Sequence, residues 1–367
     1  MTTPLRLGIV GADASGQGWA PLAHFPALRA LPQFEVVALC TSRAATAAAA
    51  AARYGVARAF HDPRELAAQE DLDLVSVVVR APAHHDVVVA ALEAGRNVYC
   101  EWPLGASTAQ AERMAALADA RGVRAMIGLQ ARADPVIRHA RGLVADGYVG
   151  DVQSVAMVMT TAAAPERPAS RAWERSAANG VSALTIRGIH ALDALCFCVG
   201  ELAEVSAQVA TLNRRWTIAD SGASVDVDAP DCVVLAGTLV GGALVSAQIA
   251  TVPCAAAGWR MEISGSRGAL RIASSGAPQR DAKTLAGARG RAPLAALDGV
   301  PTDDEGLPAG VPPGAPRNVA RMYLRLAQSL RAGTPVEPDF ALALRRHRLI
   351  DAIQRASDER RAVAIPL

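Results

Sequence analysis

Leu5-Arg-Leu-Gly-Ile-Val-Gly11-Ala-Asp13-Ala-Ser-Gly16 is the stretch from which the rest of the chain can be read. An apolar run from Leu5 to Val10 ends in Gly11, and a helical pattern follows from Trp19 to Leu31. Glycines between a strand and a helix permit a tight turn and the close approach of a phosphate to the helix N-terminus. The same alternation continues outward. Phe34–Cys40, Leu72–Val79 and Asn97–Cys100 are further apolar runs, separated by helical stretches at Ala44–Tyr54, Pro63–Gln69 and His85–Ala94. Continuous apolar strands between helices read as a parallel sheet covered on both faces. Right-handed crossovers make it a doubly wound, Rossmann-type domain.

A helix over Ser107–Ala120 and a strand over Gly122–Gly128 complete this domain, placed at residues 1–127. After one more helix, Asp134–Asp146, strand-like segments follow one another at 152–161, 202–211, 231–239, 243–251, 259–264 and 268–272. Their alternation and the intervening glycines predict an open, mostly antiparallel sheet in a second domain, 128–316. The fold class is therefore α/β plus α+β. Residues 274–316, rich in Ala, Gly and Pro, read as a mobile surface loop. Amphipathic helices at Arg317–Arg331 and Phe340–Ser357 form a closing segment, 317–367, whose cluster Arg345-Arg346-His347-Arg348 reads as a solvated helical face.

Composition narrows the function. With 51% hydrophobic residues in 367 the chain can bury sizeable cores, which excludes wholesale disorder. A net charge of +2 without a basic run argues against a nucleic-acid partner. No uninterrupted apolar stretch is long enough for a membrane span, and Met1 to Arg6 lacks the features of a signal peptide. The six cysteines lie mostly in apolar runs, as buried thiols of a cytoplasmic protein do. Metal-ligand spacings are absent, so no metal site is expected, and no Gly-x-Ser-x-Gly elbow supports a nucleophilic triad.

Within the first turn, Asp13 stands where the dinucleotide fingerprint has its second glycine, and Gly16 and Gly18 lengthen the loop. The second strand ends Cys40-Thr41-Ser42-Arg43 rather than in the acidic residue that holds ribose hydroxyls in NAD sites. Thr41 and Ser42 can donate to a 2′-phosphate with Arg43 as its counter-ion, which favours NADP over NAD as cofactor.

Cys100-Glu101-Trp102-Pro103-Leu104, following Ala94-Gly95-Arg96-Asn97-Val98, resembles the Glu-Lys-Pro segment of the glucose–fructose oxidoreductase/inositol dehydrogenase (Gfo/Idh/MocA) family. The likeness runs through His24-Phe-Pro-Ala-Leu28, Asp73, Gly128-Leu-Gln130-Ala-Arg132, Gly147-Tyr-Val-Gly150-Asp151 and Gly188-Ile-His190-Ala-Leu-Asp193. It is similar above all to the branch containing the fungal galactose-regulon repressor, through Gly18-Trp19, the Glu-Trp pair, the Leu-Gln-x-Arg segment and Asn179-Gly180-Val181.

The resemblance implies NAD(P)-dependent oxidation or reduction of a hydroxyl-bearing carbon on a sugar, a cyclitol or a related molecule. It also implies a homodimer or homotetramer joined through the open sheet. In the family pattern a Lys after the Glu, with an Asp-x-x-x-His pair, flanks the nicotinamide. Carried over, these positions are Trp102, Ile186 and His190, so His190 is the remaining acid/base. Cofactor contacts fall to Gly11, Asp13, Ser15, Gly16 and Trp19 in the first loop and to Thr41, Ser42 and Arg43 after the second strand. Arg80, His84, Glu101 and Trp102 complete them at the edges of later strands. His84 also reads as a helix N-cap. Trp102 reads equally as a substrate-stacking or a packing residue. Gln130, Arg132, Trp173 and Arg187 are candidates for substrate contact, and Arg132 reads as well as an ion-pair residue. The alternative to an enzyme is a dinucleotide-binding sensor or co-regulator without turnover, for which the missing Lys and Asp speak.

Overall fold

The computed structural model describes every residue except Met1, Thr2, Asp13 and Leu367. It divides into two compact units, Met1–Gln130 with Gly306–Leu344, and Ala131–Glu305 with Arg345–Leu367.

In the first unit β1 (Leu5–Val10), β2 (Phe34–Cys40), β3 (Arg58–Phe60), β4 (Leu74–Val77), β5 (Asn97–Glu101) and β6 (Ala125–Gly128) form one sheet, ordered β3-β2-β1-β4-β5-β6. Every neighbouring pair is parallel. β4 and β6 are buried at all four positions, as strands covered on both faces must be. β3 was not legible in the sequence, because this edge strand has only three residues and no apolar run.

Helices α1 (Phe25–Arg29), α2 (Ala44–Tyr54), α3 (Pro63–Ala67), α4 (His84–Glu93) and α5 (Thr108–Arg121) connect the strands. Asp62 caps α3 by accepting from Arg64 N at 2.8 Å, and Ser107 caps α5 by accepting from Gln110 N. The single helix expected over Trp19–Leu31 is instead a π-helical turn, Ala20–His24, leading into the short α1. Pro26 lacks the backbone N–H that an α-helical bond to the Leu22 carbonyl would need, so the α-helical ladder is interrupted there, whereas Pro21 lies in the first turn, where no such bond is lost.

The second unit contains α6 (Pro135–Ala145), β7 (Val152–Ala162), β8 (Glu166–Arg167), α7 (Ile189–Val199), β9 (Leu202–Ala210), β10 (Arg215–Ile218), β11 (Ser224–Asp226), β12 (Cys232–Leu239), β13 (Leu244–Val252), β14 (Gly258–Gly265), β15 (Gly268–Ser274), β16 (Thr284–Arg289), β17 (Ala295–Ala296) and, near the chain end, β18 (Val363–Ala364). Nine of these strands form a sheet ordered β17-β16-β15-β14-β7-β13-β12-β9-β18, in which only β7 and β13 run parallel. A small sheet, β11-β10-β8, lies apart from it. Residues 274–316 are therefore not one loop. β16 pairs antiparallel with β15, and its small residues permit close packing, since a Cβ on Gly287 would lie 2.7 Å from the Tyr148 hydroxyl. The helical run Ala177–Val199 is long and apolar enough to cross a membrane by length and composition. Its apolar window is 72% buried inside the protein, which makes it a core helix.

α8 (Ala315–Ala332) falls within the first unit, and the division comes inside α9 (Phe340–Glu359), so residues 317–367 do not form a separate closing part. The reason is aromatic packing. Tyr323 of α8 is fully buried, with its ring 5.0 Å from that of Tyr99 and 5.2 Å from that of Phe34. Arg346 and His347 are also buried, which corrects the solvated face expected for that cluster. Burial pushes the His347 imidazole down to about 4. Of the cysteines, Cys40, Cys100, Cys196 and Cys198 are buried, whereas Cys232 is half-buried and Cys254 exposed. Burial pushes the thiols of Cys40, Cys196 and Cys198 up to about 12, which leaves them inert.

Candidate functional site

The sheet order reverses between β1 and β4, and the crevice at the carboxyl ends of such strands is where α/β sheets receive ligands. Gly11 follows β1 with φ +107°, and a Cβ there would lie 2.2 Å from the Val78 carbonyl oxygen just beyond β4. Only glycine allows this approach. Gly11→Ala is therefore expected to cost at least about 1 kcal/mol of stability and to weaken dinucleotide binding, which thermal unfolding and cofactor titration would read.

Further along the loop, Gly16 (φ +78°) sits against Arg53 of α2, whose Nη1 donates to the Ala14 carbonyl at 3.1 Å. Gly18 (φ +94°) faces open space. Ser15 is exposed, and its hydroxyl accepts from Gln17 N at 3.1 Å. The Trp19 indole Nε1 is buried without a hydrogen-bond partner. Asp13 lies outside the described residues. Arg53 had no signal in the sequence beyond being a basic residue near the end of a helix, yet it places a guanidinium over the loop.

At the end of β2, Ser42 and Arg43 are exposed, but Thr41 is not a free donor. Its hydroxyl lies 2.6 Å from that of Thr46 and 3.1 Å from the Arg43 carbonyl, so it braces the turn into α2 and does not face outward to a phosphate. Arg80, past β4, is exposed.

His84 is neither solvent-facing nor a side-chain cap. Its Nδ1 lies 2.7 Å from the Pro103 carbonyl and its Nε2 2.9 Å from the Val79 carbonyl, which clips together the segments after β5 and β4. Burial holds its pKa below the usual imidazole range.

Glu101, at the end of β5, points into the unit. One carboxylate oxygen pairs with His24 Nε2 at 3.0 Å, and the other accepts from Gln130 Nε2 at 2.7 Å. The chain continues from His24 Nδ1 to the Tyr323 hydroxyl at 2.7 Å and on to Ser76 at 2.9 Å. A Cβ on Gly128 would lie 2.8 Å from Glu101 Oε2, so a glycine makes room for the carboxylate. Glu101 and Gln130 are thus bonded to each other within this unit, and Gln130 is 1% exposed. Trp102 is 5% exposed, in accord with the packing role among its readings.

In the second unit Arg132 is an ion-pair residue, one of its two readings. Its Nε and Nη2 each donate at 2.9 Å to the buried carboxylate of Asp193 on α7. Arg346 Nε donates to the same carboxylate at 2.7 Å and directs its two terminal nitrogens to Glu201 at 2.6 and 2.8 Å. Burial alone would raise the Asp193 pKa, but the two guanidiniums outweigh it and hold the carboxyl below its usual range. His190 is buried in the first turn of α7, and Arg187 is half-buried in the π-helical turn Ala183–Gly188 that precedes it. Trp173 is half-buried in the 3₁₀ segment Ala169–Arg175, where its carbonyl accepts from Asn179 at 2.6 Å.

A model of an oxidoreductase family with an NAD-binding Rossmann fold, Gfo/Idh/MocA, matches residues 5–129, and a model of the Gal80p C-terminal domain matches residues 135–274. Dehydrogenase aclE of Aspergillus oryzae is 30% identical over 248 residues, covering 65% of this chain and 68% of that protein. The chain belongs to the Gfo/Idh/MocA oxidoreductase family. Within the family it is also 30% identical to the galactose/lactose metabolism regulatory protein GAL80 of Saccharomyces cerevisiae, over 65% of this chain and 59% of the regulator. The solved oxidoreductase domain protein of Kribbella flavida superposes over the full length of both chains with a TM-score of 0.86 at 28% identity. The family thus joins dehydrogenases and regulators on one scaffold.

A dinucleotide fits the first unit's crevice by this structure's own features. The loop is glycine-shaped where the strand ends meet, Arg53 supplies positive charge beside it, and the buried Trp19 Nε1 is a donor in need of a partner.

Proposed function

We propose that the protein is an NADP(H)-dependent oxidoreductase acting on a hydroxyl or carbonyl carbon of a sugar-like or cyclic compound, with His190 as the acid/base. The observation that carries this reading is the glycine-shaped crevice at the β1–β4 switch point, where Gly11 meets the Val78 carbonyl. The loop from Gly11 to Gly18 and Arg53 hold the pyrophosphate. Ser42 and Arg43, exposed at the end of β2, hold the 2′-phosphate. The bound nicotinamide supplies or accepts the hydride. His190 holds or releases the hydroxyl proton at a ring nitrogen, a task suited to an imidazole near neutrality. Trp102, in the place of the family's Lys, offers no titratable group, so acid–base work rests on His190 alone. We place the protein in the cytoplasm as a homodimer or homotetramer. Val234 and Leu244 support the assembly, since both are exposed on one face of the open sheet.

A specific observation favours a second reading, a cofactor-binding regulator without turnover. Trp102 is buried and Ile186 is apolar where the family pattern has Lys and Asp. The deciding experiment titrates NADPH and NADH by fluorescence and then screens the loaded protein against sugars and cyclic hydroxy or carbonyl compounds. Substrate-dependent NADPH consumption supports the enzyme. Tight binding without turnover supports the regulator, and absence of binding sinks both. Arg43→Ala is expected to raise the NADPH dissociation constant about ten-fold and leave that of NADH unchanged. Equal losses for the two cofactors would remove the 2′-phosphate role.

A further inference from the structure

The second unit gathers guanidinium groups around the ends of β7 and β13. β7 ends at Ala162, and the short link Ala163–Pro165 carries the chain into β8, which holds Arg167. Thr161 of β7 and Thr251 of β13 face each other in register, their hydroxyls 3.3 Å apart. Arg187 reaches the same place from the turn before α7, with Nη1 donating to the Thr251 hydroxyl at 3.4 Å. Arg167 lays its guanidinium 4.8 Å from the Trp216 ring centroid, and its Nε is buried without a hydrogen-bond partner. Arg171 and Arg280 add like charge to Arg187.

Two of the local carboxylates are already matched. Glu174 takes both prongs of Arg171, at 2.8 and 2.9 Å, and Asp281 lies 3.6 Å from Arg280. Arg167 and Arg187 have no carboxylate of their own in hydrogen-bond contact among the described residues. Arg187 is held below the usual guanidinium range by burial and then by the like charge of Arg171, with Arg167 and Arg280 adding to it and Glu174 alone opposing. Arg167 is lowered in the same way, by burial and by Arg171. Burial of like charges without counter-charge is unfavourable, and such surpluses mark sites shaped for something other than stability. A hydroxyl-only ligand would not repay two unneutralised forks, whereas a carboxylate or phosphate accepts from them in the geometry guanidinium prefers. Arg187 also stands three residues before His190 on the same helical run.

We propose that Arg167 and Arg187 form a receptor for an anionic group on the ligand of this unit, so that the substrate is a hydroxy or carbonyl compound carrying a carboxylate or a phosphate. As a statement about substrate, this rests on the oxidoreductase reading above. The receptor itself does not.

The test uses the NADPH-loaded protein and calorimetric titration with three ligands that share a ring and differ at C6, namely D-glucuronate, D-glucose 6-phosphate and D-glucose. At least one anion is expected to bind about ten-fold or more tightly than glucose, and the stronger of the two names the group. Arg187→Gln and Arg167→Gln should each remove about ten-fold of that anion's affinity without changing glucose binding, and Arg187→Lys should restore part of it. Equal binding of the three ligands, binding by neither anion, or equal losses for anion and glucose overturns the proposal. Should a variant fail to match the wild-type unfolding temperature, the wild-type ranking alone decides. Anion binding without NADPH consumption defeats the oxidoreductase reading and leaves the receptor. Turnover of an anionic substrate that Arg187→Gln does not alter defeats the receptor and leaves the reading.

Discussion

Replacing His190 with Asn is expected to lower turnover by roughly 10²–10⁴-fold while the NADPH dissociation constant stays at its wild-type value. The expectation follows from a subtraction. With Trp102 and Ile186 in two of the three family positions, His190 is the one remaining side chain of that set able to exchange a proton near neutral pH. Steady-state kinetics on any substrate the protein turns over, together with a fluorescence titration of the cofactor, separates the two effects. A drop confined to affinity would make His190 a binding residue. A variant as active as the wild type would show that another group moves the proton. His190 is buried in a helix that forms the core of the second unit, so the unfolding temperature of the variant must be compared with that of the wild type.

Asp193→Asn is expected to destabilise the protein by about 3–5 kcal/mol, because it leaves the buried guanidiniums of Arg132 and Arg346 without their shared counter-charge. Arg346 retains its fork on Glu201, whereas Arg132 loses both bonds to a carboxylate. Denaturant unfolding at neutral pH reads the loss. The pH profile gives a second signature. The Asp193 carboxyl is held below its ordinary value in the folded state, so its stabilising effect is complete above the unfolded value of about 3.9 and fades as pH falls toward the lower folded value. The difference between wild type and variant should therefore be constant from neutrality down to about pH 4 and shrink only below it. A cost within about 0.5 kcal/mol at neutral pH would mean that the network is dispensable.

Local pattern made much of the first unit legible. α2 begins at Ala44 and ends at Tyr54 as the Ala-rich run before Gly55 indicates, and β1 and β2 end where their apolar runs do. In each case neighbouring residues carry the signal, as burial on both faces of a strand or as a glycine in the left-handed region at a helix end. Where the local signal was weak, the reading went astray. β16 is built largely from small residues that look like loop until β15 is beside them, and Pro26, inside the run from Trp19 to Leu31, interrupts the helical ladder without altering its apolar pattern.

The site divides along the same line. Gly11 was identified from its place after a strand, and its φ and its distance to Val78 agree with that reading. Gln130, Arg132 and Glu101 became ligand-contact candidates through the family resemblance, Arg132 with an ion pair as its other reading, and Thr41 through its hydroxyl at the end of β2; each has its polar group bonded inside its own unit. No property of Arg346 in sequence distinguishes it from Arg345 or Arg348, yet it is 1% exposed and tied to Asp193 and Glu201.

By itself the sequence determined the parallel α/β unit, its nucleotide-binding turn, the sheet-rich second unit and the family, because periodicity and short motifs are properties of adjacent residues. Only the tertiary structure decided which polar side chains are partnered. A carboxylate or guanidinium is committed or available according to groups far away in the chain. Burial then makes those pairings strong enough to withdraw Glu101 and Arg132 from the ligand while leaving Arg167 and Arg187 with charge to offer.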